Sequence, residues 1–299
     1  MKIAIITRVP GYSAKRLKIE AEKLGHTVRV IRFPKCYVEI KHNEPNIYYE
    51  GERLDDIDAI IPRIMPGMTN YGAAIIRQFE MMGAFTTVKS IAITRSRDKL
   101  RSLQLMSKNG VNIPKTIFSR ETNSVDDLIN HFSLPVVIKL ASGTQGNGVV
   151  LAETRKVAKS VIQAFYVNDT SFLIQEFIEE SAGVDIRAFV VGYRVVASME
   201  RRSLDDDFRS NIHQGGQGQM VKLTEEESKM AIKAARSMGV PICGVDIMRS
   251  RRGPMVLEVN SSPGLEGIEK VTGRNIAKKI IKYIERNAGR RNKKDRVGA

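Results

Sequence analysis

Glu258 and Asn260 stand two residues apart in Met255-Val256-Leu257-Glu258-Val259-Asn260-Ser261-Ser262-Pro263-Gly264, a stretch that reads as a strand running into a Pro-Gly turn. Side chains two apart on a strand share a face, so a carboxylate and an amide oxygen project together from the end of an apolar strand. Upstream, Gly244-Val245-Asp246-Ile247-Met248 reads as a second strand with one carboxylate inside an apolar run. Asp246, Glu258 and Asn260 together are hard oxygen ligands, suited to magnesium rather than zinc. The plain alternative makes both acids strand-end charges. Acidic residues are poor strand formers, and finding two inside apolar runs favours a site.

A metal of that kind holds phosphates, and a glycine-rich segment could cradle them. The predicted strand Pro135-Val136-Val137-Ile138-Lys139-Leu140 leads into Ala141-Ser142-Gly143-Thr144-Gln145-Gly146-Asn147-Gly148, followed by Val149-Val150-Leu151-Ala152. Gly143, Gly146 and Gly148 would let backbone N–H groups approach an anion closely. P-loops and dinucleotide fingerprints run from a strand into a helix. This loop runs from strand to strand and has no Gly-Lys-Ser/Thr ending, so it reads as a hairpin flap. Kinases use a similar flap, but no His-Arg-Asp or Asp-Phe-Gly motif follows. A flexible hairpin is the bland reading of the glycines alone. Lys139, inside Val-Val-Ile-Lys-Leu, must find a partner or reach a ligand, and the neighbouring flap favours a phosphate contact over snorkelling.

Flap, buried lysine and late Asp…Glu-x-Asn set together resemble the ATP-grasp carboxylate–amine ligases, and within them the RimK branch, which glutamylates a ribosomal small-subunit protein. The resemblance spans most of the chain. It is carried by Pro62-Arg63-Ile64, Tyr71-Gly72, Arg77–Met81, Arg97-Asp98-Lys99-Leu100-Arg101-Ser102, Lys139 with Gly143–Gly146, Gln175-Glu176-Phe177-Ile178, Asp185-Ile186-Arg187, Asp207–Asn211, Gly244–Ile247 and Glu258–Glu269. It implies that Glu176, Phe177 and Ile178 form the hinge that reads adenine, and that Asp185 meets the ribose. It implies that Lys99 and Lys139 contact phosphates, and that Arg209, Ser210 and Asn211 make phosphate and metal-side contacts. Arg187 would stabilise an acyl phosphate, with Lys139 as its catalytic companion. ATP is the implied cofactor, with magnesium or manganese and two ions. Surface ion pairing is the competing reading for each arginine. The implied reaction transfers the γ-phosphoryl group to a carboxylate, and the amine of L-glutamate then displaces phosphate. The implied acceptor is the acidic C-terminal tail of a ribosomal small-subunit protein, and the implied assembly is a homo-oligomer, a tetramer.

Other chemistry finds little support. Cys36 and Cys243 lie far apart in apolar segments and read as buried thiols, and the four histidines show no ligand spacing. His213, close to Arg209, stays open as a participant. Two departures from the branch's pattern fall toward the acceptor side: a short loop at Val9-Pro10-Gly11-Tyr12-Ser13, and Thr87-Val88-Lys89-Ser90 where Asn-Glu-Ser is usual. A related ligase acting on a small-molecule cofactor or carrier-protein tail is therefore the rival within the family.

The elements that must position these groups alternate. Strands are expected at 2–8, 27–32 and 58–64, with helices at 14–24 and 72–83, which suggests a small parallel sheet. A helix is expected at 96–109, strands at 188–191 and 195–200, a helix at 224–238 opened by a capping box, and a helix at 273–287. The fold class is α/β with α+β subdomains, and the resemblance makes it an ATP-grasp fold behind a small parallel-sheet pre-ATP-grasp domain. The expected division is 1–93, 94–186 with the flap, 187–288 with the metal site, and a basic disordered tail at 289–299. No apolar run is long enough to span a membrane, and two cysteines without a secretion signal point to the cytoplasm. The formal net charge of +15 suits anionic ligands: ATP, glutamate, an acidic tail or nearby RNA. A nucleic-acid-binding module without turnover is the rival from another class. The lack of tryptophan and of basic segments interleaved with aromatics argues against it.

Overall fold

The computed structural model describes residues 1–120, 125–141, 148–167, 170–203, 208 and 217–289. In chain order come β1 (Lys2–Thr7), α1 (Tyr12–Lys23), β2 (Thr27–Arg32), a ribbon of β3 (Cys36–Lys41), β4 (Glu44–Tyr49) and β5 (Glu52–Arg53), then β6 (Ala59–Arg63), α2 (Thr69–Met81), β7 (Phe85–Thr86), α3 (Ser90–Arg97) and α4 (Lys99–Lys108). Strands β2-β1-β6-β7 form a parallel sheet in that order. Its central strand carries Ile3-Ala4-Ile5-Ile6, all buried, as a parallel strand covered on both faces requires. The chain leaves β1 for β2 on one side and returns to β6 on the other. The β1/β6 junction is thus the topological switch point, where the carboxyl ends of strands open a crevice.

The next sheet contains β8 (Thr116–Ser119), β9 (Val136–Leu140), β10 (Val149–Ala152) and β11 (Phe172–Glu176), with α5 (Val125–Asn130) and α6 (Arg155–Val167) packed on it. Its order is β10-β9-β11-β8, all antiparallel. The third sheet, β14-β13-β12-β15-β16, is also antiparallel. It comprises β12 (Val184–Val191), β13 (Arg194–Arg202), β14 (Gln217–Met220), β15 (Ile242–Ser250) and β16 (Gly253–Asn260), and α7 (Glu225–Met238), α8 (Glu266–Thr272) and α9 (Ile276–Asn287) accompany it. One core runs through the parallel sheet and this five-stranded sheet, with α9 against α1. A second, smaller core of Val125, Ile129, Val136, Ile138, Ala152, Ala158, Ile162, Phe172 and Ile174 serves the central sheet alone.

Two expectations about elements change, and one further element appears. The helix expected at 96–109 is two: α3 ends at Arg97, and Asp98 caps α4 by accepting from the Arg101 N–H at 3.0 Å, which satisfies an otherwise orphan amide. The last helix begins at Ile276 rather than 273, because Asn275 takes the cap position and accepts from the Lys278 N–H at 2.9 Å. The ribbon β3–β5 was not foreseen: Glu39, Lys41 and Glu44 mask its alternation, while Tyr37 and Tyr48 stack across it at 5.0 Å. The capping box on α7 is present, Thr224 accepting from the Glu227 N–H and the Glu227 carboxylate from the Thr224 N–H. Among the described residues no helix is long and apolar enough to cross a membrane.

Candidate active site

The oxygen-ligand set is built by a bulge. Outward from their turn, β15 and β16 pair Ser250 with Gly253, Met248 with Met255 and Ile247 with Val256. The register then shifts between Asp246 and Ile247, so that Asp246 faces Glu258 and Gly244 faces Asn260. Residues directly opposed across a pair share a face. Without the extra residue Asp246 would oppose Leu257, and Glu258 would point to the other face. With it, the Asn260 side-chain N–H donates to Glu258 at 2.8 Å and to Asp246 at 3.3 Å.

Two arginines complete the cluster. Arg187, opposite Asp246 on β12, donates through Nε and Nη2 to both Asp246 oxygens at 2.8 and 2.7 Å. Arg201 on β13 lies within 2.9 Å of the same carboxylate. Burial pushes the Asp246 carboxyl up, but the Arg187 and Arg201 guanidiniums outweigh it and hold it well below the usual carboxylate range. Glu258 is exposed at the end of β16, yet the protein packed around its carboxyl and the Asp246 charge push that carboxyl up. A magnesium-sized ion fits this donor set: two like-charged carboxylates crowd one face, and an amide turned over would present its oxygen. Gly244 makes room for the arrangement, since a Cβ there would lie 3.1 Å from Pro263 Cβ and 3.3 Å from Arg187 Nε.

Lys99 and Lys139, on two different elements, both lie within reach of the Glu258 charge. Lys139 on β9 donates to Gln175 Oε1 at 2.6 Å, and Gln175 in turn donates to Thr116 at 2.9 Å. Burial lowers the Lys139 ammonium to about 8, with the Lys99 charge adding to the effect and Glu258 opposing it. Lys99, at the start of α4, donates to the Leu140 carbonyl at 2.8 Å. Burial lowers its pKa too, again opposed by Glu258. The glycine segment does join two antiparallel strands: Lys139 pairs with Val149, and the Leu140 N–H donates to the Gly148 carbonyl. Gly148 has φ +70, and a Cβ there would stand 2.4 Å from Leu140 Cδ1. Gly143, Gly146, Arg209, Ser210 and Asn211 lie outside the described residues, as do His213 and the tail beyond residue 289.

The hinge segment is tied down through Glu176, whose carboxylate accepts from the Lys115 N–H at 2.6 Å and from Arg252 at 2.7 Å. The Glu176 N–H donates to the Lys115 carbonyl. Phe177 meets the Phe208 ring edge-on at 6.4 Å, and Ile178 is buried. Asp185 is buried and accepts from Arg201 Nε at 2.6 Å. Arg201, only 3% exposed, is the residue that sequence reasoning missed, and it joins Asp185 to Asp246. A basic residue in the strand Arg194–Arg202 was the available signal, but its partner could not be read. Counting outward from the Gly192-Tyr193 turn pairs Asp185 with Glu200, and a bulge between Phe189 and Val190 moves Arg201 opposite instead. Cys36 and Cys243 are buried, and burial pushes both thiols up, Cys36 to about 12.

Residues 96–284 match the RimK-like ATP-grasp domain and residues 1–93 match the RimK pre-ATP-grasp domain. The chain belongs to the RimK-like ATP-grasp family. A probable alpha-L-glutamate ligase of Picosynechococcus sp. is 52% identical over 299 residues, 99% of each chain. Another, from Hydrogenovibrio crunogenus, is 54% identical over 298 residues, again 99% of each. Among solved structures, the ATP-grasp ligase PsnB with a phosphomimetic variant of its minimal precursor, Mg and ADP superposes with a TM-score of 0.75 at 15% identity, covering 95% of this chain and 97% of that one. The macrocyclase MdnC of Microcystis aeruginosa, bound to its precursor peptide MdnA, gives 0.70 at 17% identity, covering 96% and 100%. These two likenesses concern the fold. As a RimK-like ATP-grasp protein the chain is an ATP-dependent carboxylate–amine ligase, and enzymes of this kind use ATP and magnesium.

Proposed function

We propose that this ligase joins the amine of L-glutamate to a carboxylate, and that its acceptor is the acidic C-terminal tail of a ribosomal small-subunit protein. The observation that carries the glutamate reading is the cleft itself: Asp246, Glu258 and Asn260 share one face opposite Lys99 and Lys139, in a chain half identical to probable alpha-L-glutamate ligases along its whole length. Lys99, Lys139 and the flap glycines 143, 146 and 148, with Arg209, Ser210 and Asn211, are assigned to the phosphates. Glu176, Phe177 and Ile178 are assigned to adenine. Asp185 is assigned to the ribose, whose hydroxyls a carboxylate can accept from. Magnesium or manganese, as two ions held by Asp246, Glu258 and Asn260, would neutralise charge on the phosphate oxygens.

The chain's own residues then have defined tasks. A carboxylate oxygen attacks the γ-phosphorus, the bond to ADP breaks, and an acyl phosphate forms. The glutamate nitrogen attacks the acyl carbon, phosphate leaves, and the nitrogen loses a proton. Lys139 and Lys99 supply fixed positive charge for the phosphoryl transfer. Arg187, freed from Asp246, would meet the acyl phosphate. Adding glutamate to a chain end leaves a new terminal glutamate, so each product is again a substrate and poly-glutamate can form. The exposed apolar side chains of the ribbon, Tyr37, Val38 and above all Ile40 at 89% exposure, support a homo-oligomer, proposed as a tetramer, and the buried reduced thiols fit a cytoplasmic protein. Basic surface would bring it close to ribosomal RNA.

The test incubates the pure protein with ATP, magnesium and each amino acid, with and without a peptide ending in two glutamates, and follows ADP release and product mass together. A ladder of glutamate additions on the peptide is the expected result. Glutamate-dependent ADP release without a peptide adduct would move the acceptor to a small molecule, and no turnover with any combination would overturn the ligase assignment.

A further inference from the structure

Arg63 ends β6 directly beside Thr7 of β1, at the switch point of the parallel sheet and outside its carboxyl edge, where open α/β sheets bind ligands. Its side chain is half-buried, and among the described residues it makes no hydrogen bond or ion pair. Arg97 reaches the same place from the end of α3, with Nη2 donating to the carbonyl of Ile64 at 2.8 Å. Arg97 Nε is buried and has no partner. Ser96, its neighbour, donates to Ser261 at 2.8 Å, so α3 is fastened to the loop that follows the metal strand. One residue further on, the Ser262 hydroxyl is also buried and unpartnered. Among the described residues the Arg63 side chain, Arg97 Nε and the Ser262 hydroxyl are thus left without an acceptor at this edge, and Arg95 Nε on the same helix as Arg97 is buried and unpartnered as well. Burial, with the Arg97 charge adding to it, lowers Arg63 to about 10. The acidic group whose charge reaches Arg97 is Glu258, which belongs to the metal set.

Buried donors left unpaired are costly, and paired guanidiniums are suited to planar two-oxygen anions. We propose that Arg63, Arg97 and Ser262 form the subsite for a non-reacting carboxylate of the substrates, held between the parallel sheet and the metal strands. The proposal rests on the glutamate-ligase reading. The carboxylate comes either from the incoming glutamate or from the acidic acceptor. Phosphates have their own cations in Lys99 and Lys139, on the side of the cleft next to the flap.

The test measures KM for ATP, L-glutamate and a peptide ending in two glutamates, by ADP release, in the wild type and in Arg63→Met, Arg63→Lys and Arg97→Met. Arg63→Met and Arg97→Met are expected to raise the KM of one carboxylate substrate about tenfold or more, with the KM for ATP essentially unchanged. Arg63→Lys keeps the charge but loses the fork, and falls between. A rise confined to glutamate assigns the subsite to the donor, and a rise confined to the peptide assigns it to the acceptor. Calorimetric ADP binding reports whether each variant is folded. Should Arg63→Met fail to bind ADP, Arg63→Lys and Arg97→Met decide by the same criterion. A rise in the KM for ATP alone, or no change in any KM, overturns the proposal while leaving the ligase reading intact. A wild type without glutamate-dependent turnover overturns both.

Discussion

Asp246 answers to two arginines and an asparagine, and that crowding makes individual substitutions informative. Under the proposed metal assignment, Glu258→Gln removes a ligand's charge and Asn260→Ala removes an oxygen ligand, on a face that the bulge holds in place without them. Both should reduce turnover by about two orders of magnitude or more, with melting temperatures near wild type. Normal turnover in both would remove the metal assignment. Gly244→Ala probes Arg187 from behind. A Cβ 3.3 Å from Nε and 3.1 Å from Pro263 must push one of them, and Pro263 is fixed in its turn. The displaced guanidinium should lower kcat about tenfold with the KM for ATP little altered; equal losses in both would mean a general disturbance. Lys139 gives a pH test. Its free-enzyme pKa of about 8 should rise when a phosphate pairs with it. ADP affinity is then complete below pH 8 and declines as pH rises through the bound-state pKa, with proton uptake on binding near pH 8.5. Calorimetry in buffers of different ionisation heat measures that uptake, and its absence would separate Lys139 from the phosphates.

At the scale of elements, the Thr224/Glu227 box shows what a sequence can and cannot disclose. The box depends on local spacing, so it was legible, and Thr224→Ala should cost about 1 kcal/mol, read as a shifted denaturation midpoint with an unchanged slope. The alternating strands, the strand-to-strand connection from β9 to β10 and the placement of Glu258 and Asn260 on one face were legible for the same reason. Register was not. In both hairpins that build the site, a bulge shifts the ladder by one, bringing Glu258 opposite Asp246 and Arg201 opposite Asp185. Bulges arise from packing across the sheet, and neither Leu257 nor Val196, the extra residues on the bulged strands, announces one. Arg201, the most buried cation of the site, was lost for that reason alone. Asp98 and Asn275 mark a further limit: periodicity located their helices, but a single capping side chain set where each one started.

The whole molecule holds two cores of unequal size, and the proposed nucleotide contacts come from both. Lys139 belongs to the central sheet with its small separate core, whereas Lys99 starts α4, which packs on α7 and β16 of the larger body. A sheet with few buried apolar partners opens at lower free energy than the main core, and a ligand that binds only the closed arrangement stabilises it by mass action. ADP with magnesium should therefore slow amide exchange in β9 and β10 far more than in β12 and β15. Ile162→Ala supplies the converse. Ile162 is fully buried in the small core, and its truncation should cost about 2–5 kcal/mol. That loss should appear as faster exchange in β9–β11 and weaker ADP binding, while exchange in β12 and β15 keeps its wild-type rate. Uniform acceleration across both sheets would show that the two cores unfold as one, and the lysines would then gain nothing by lying on separate bodies.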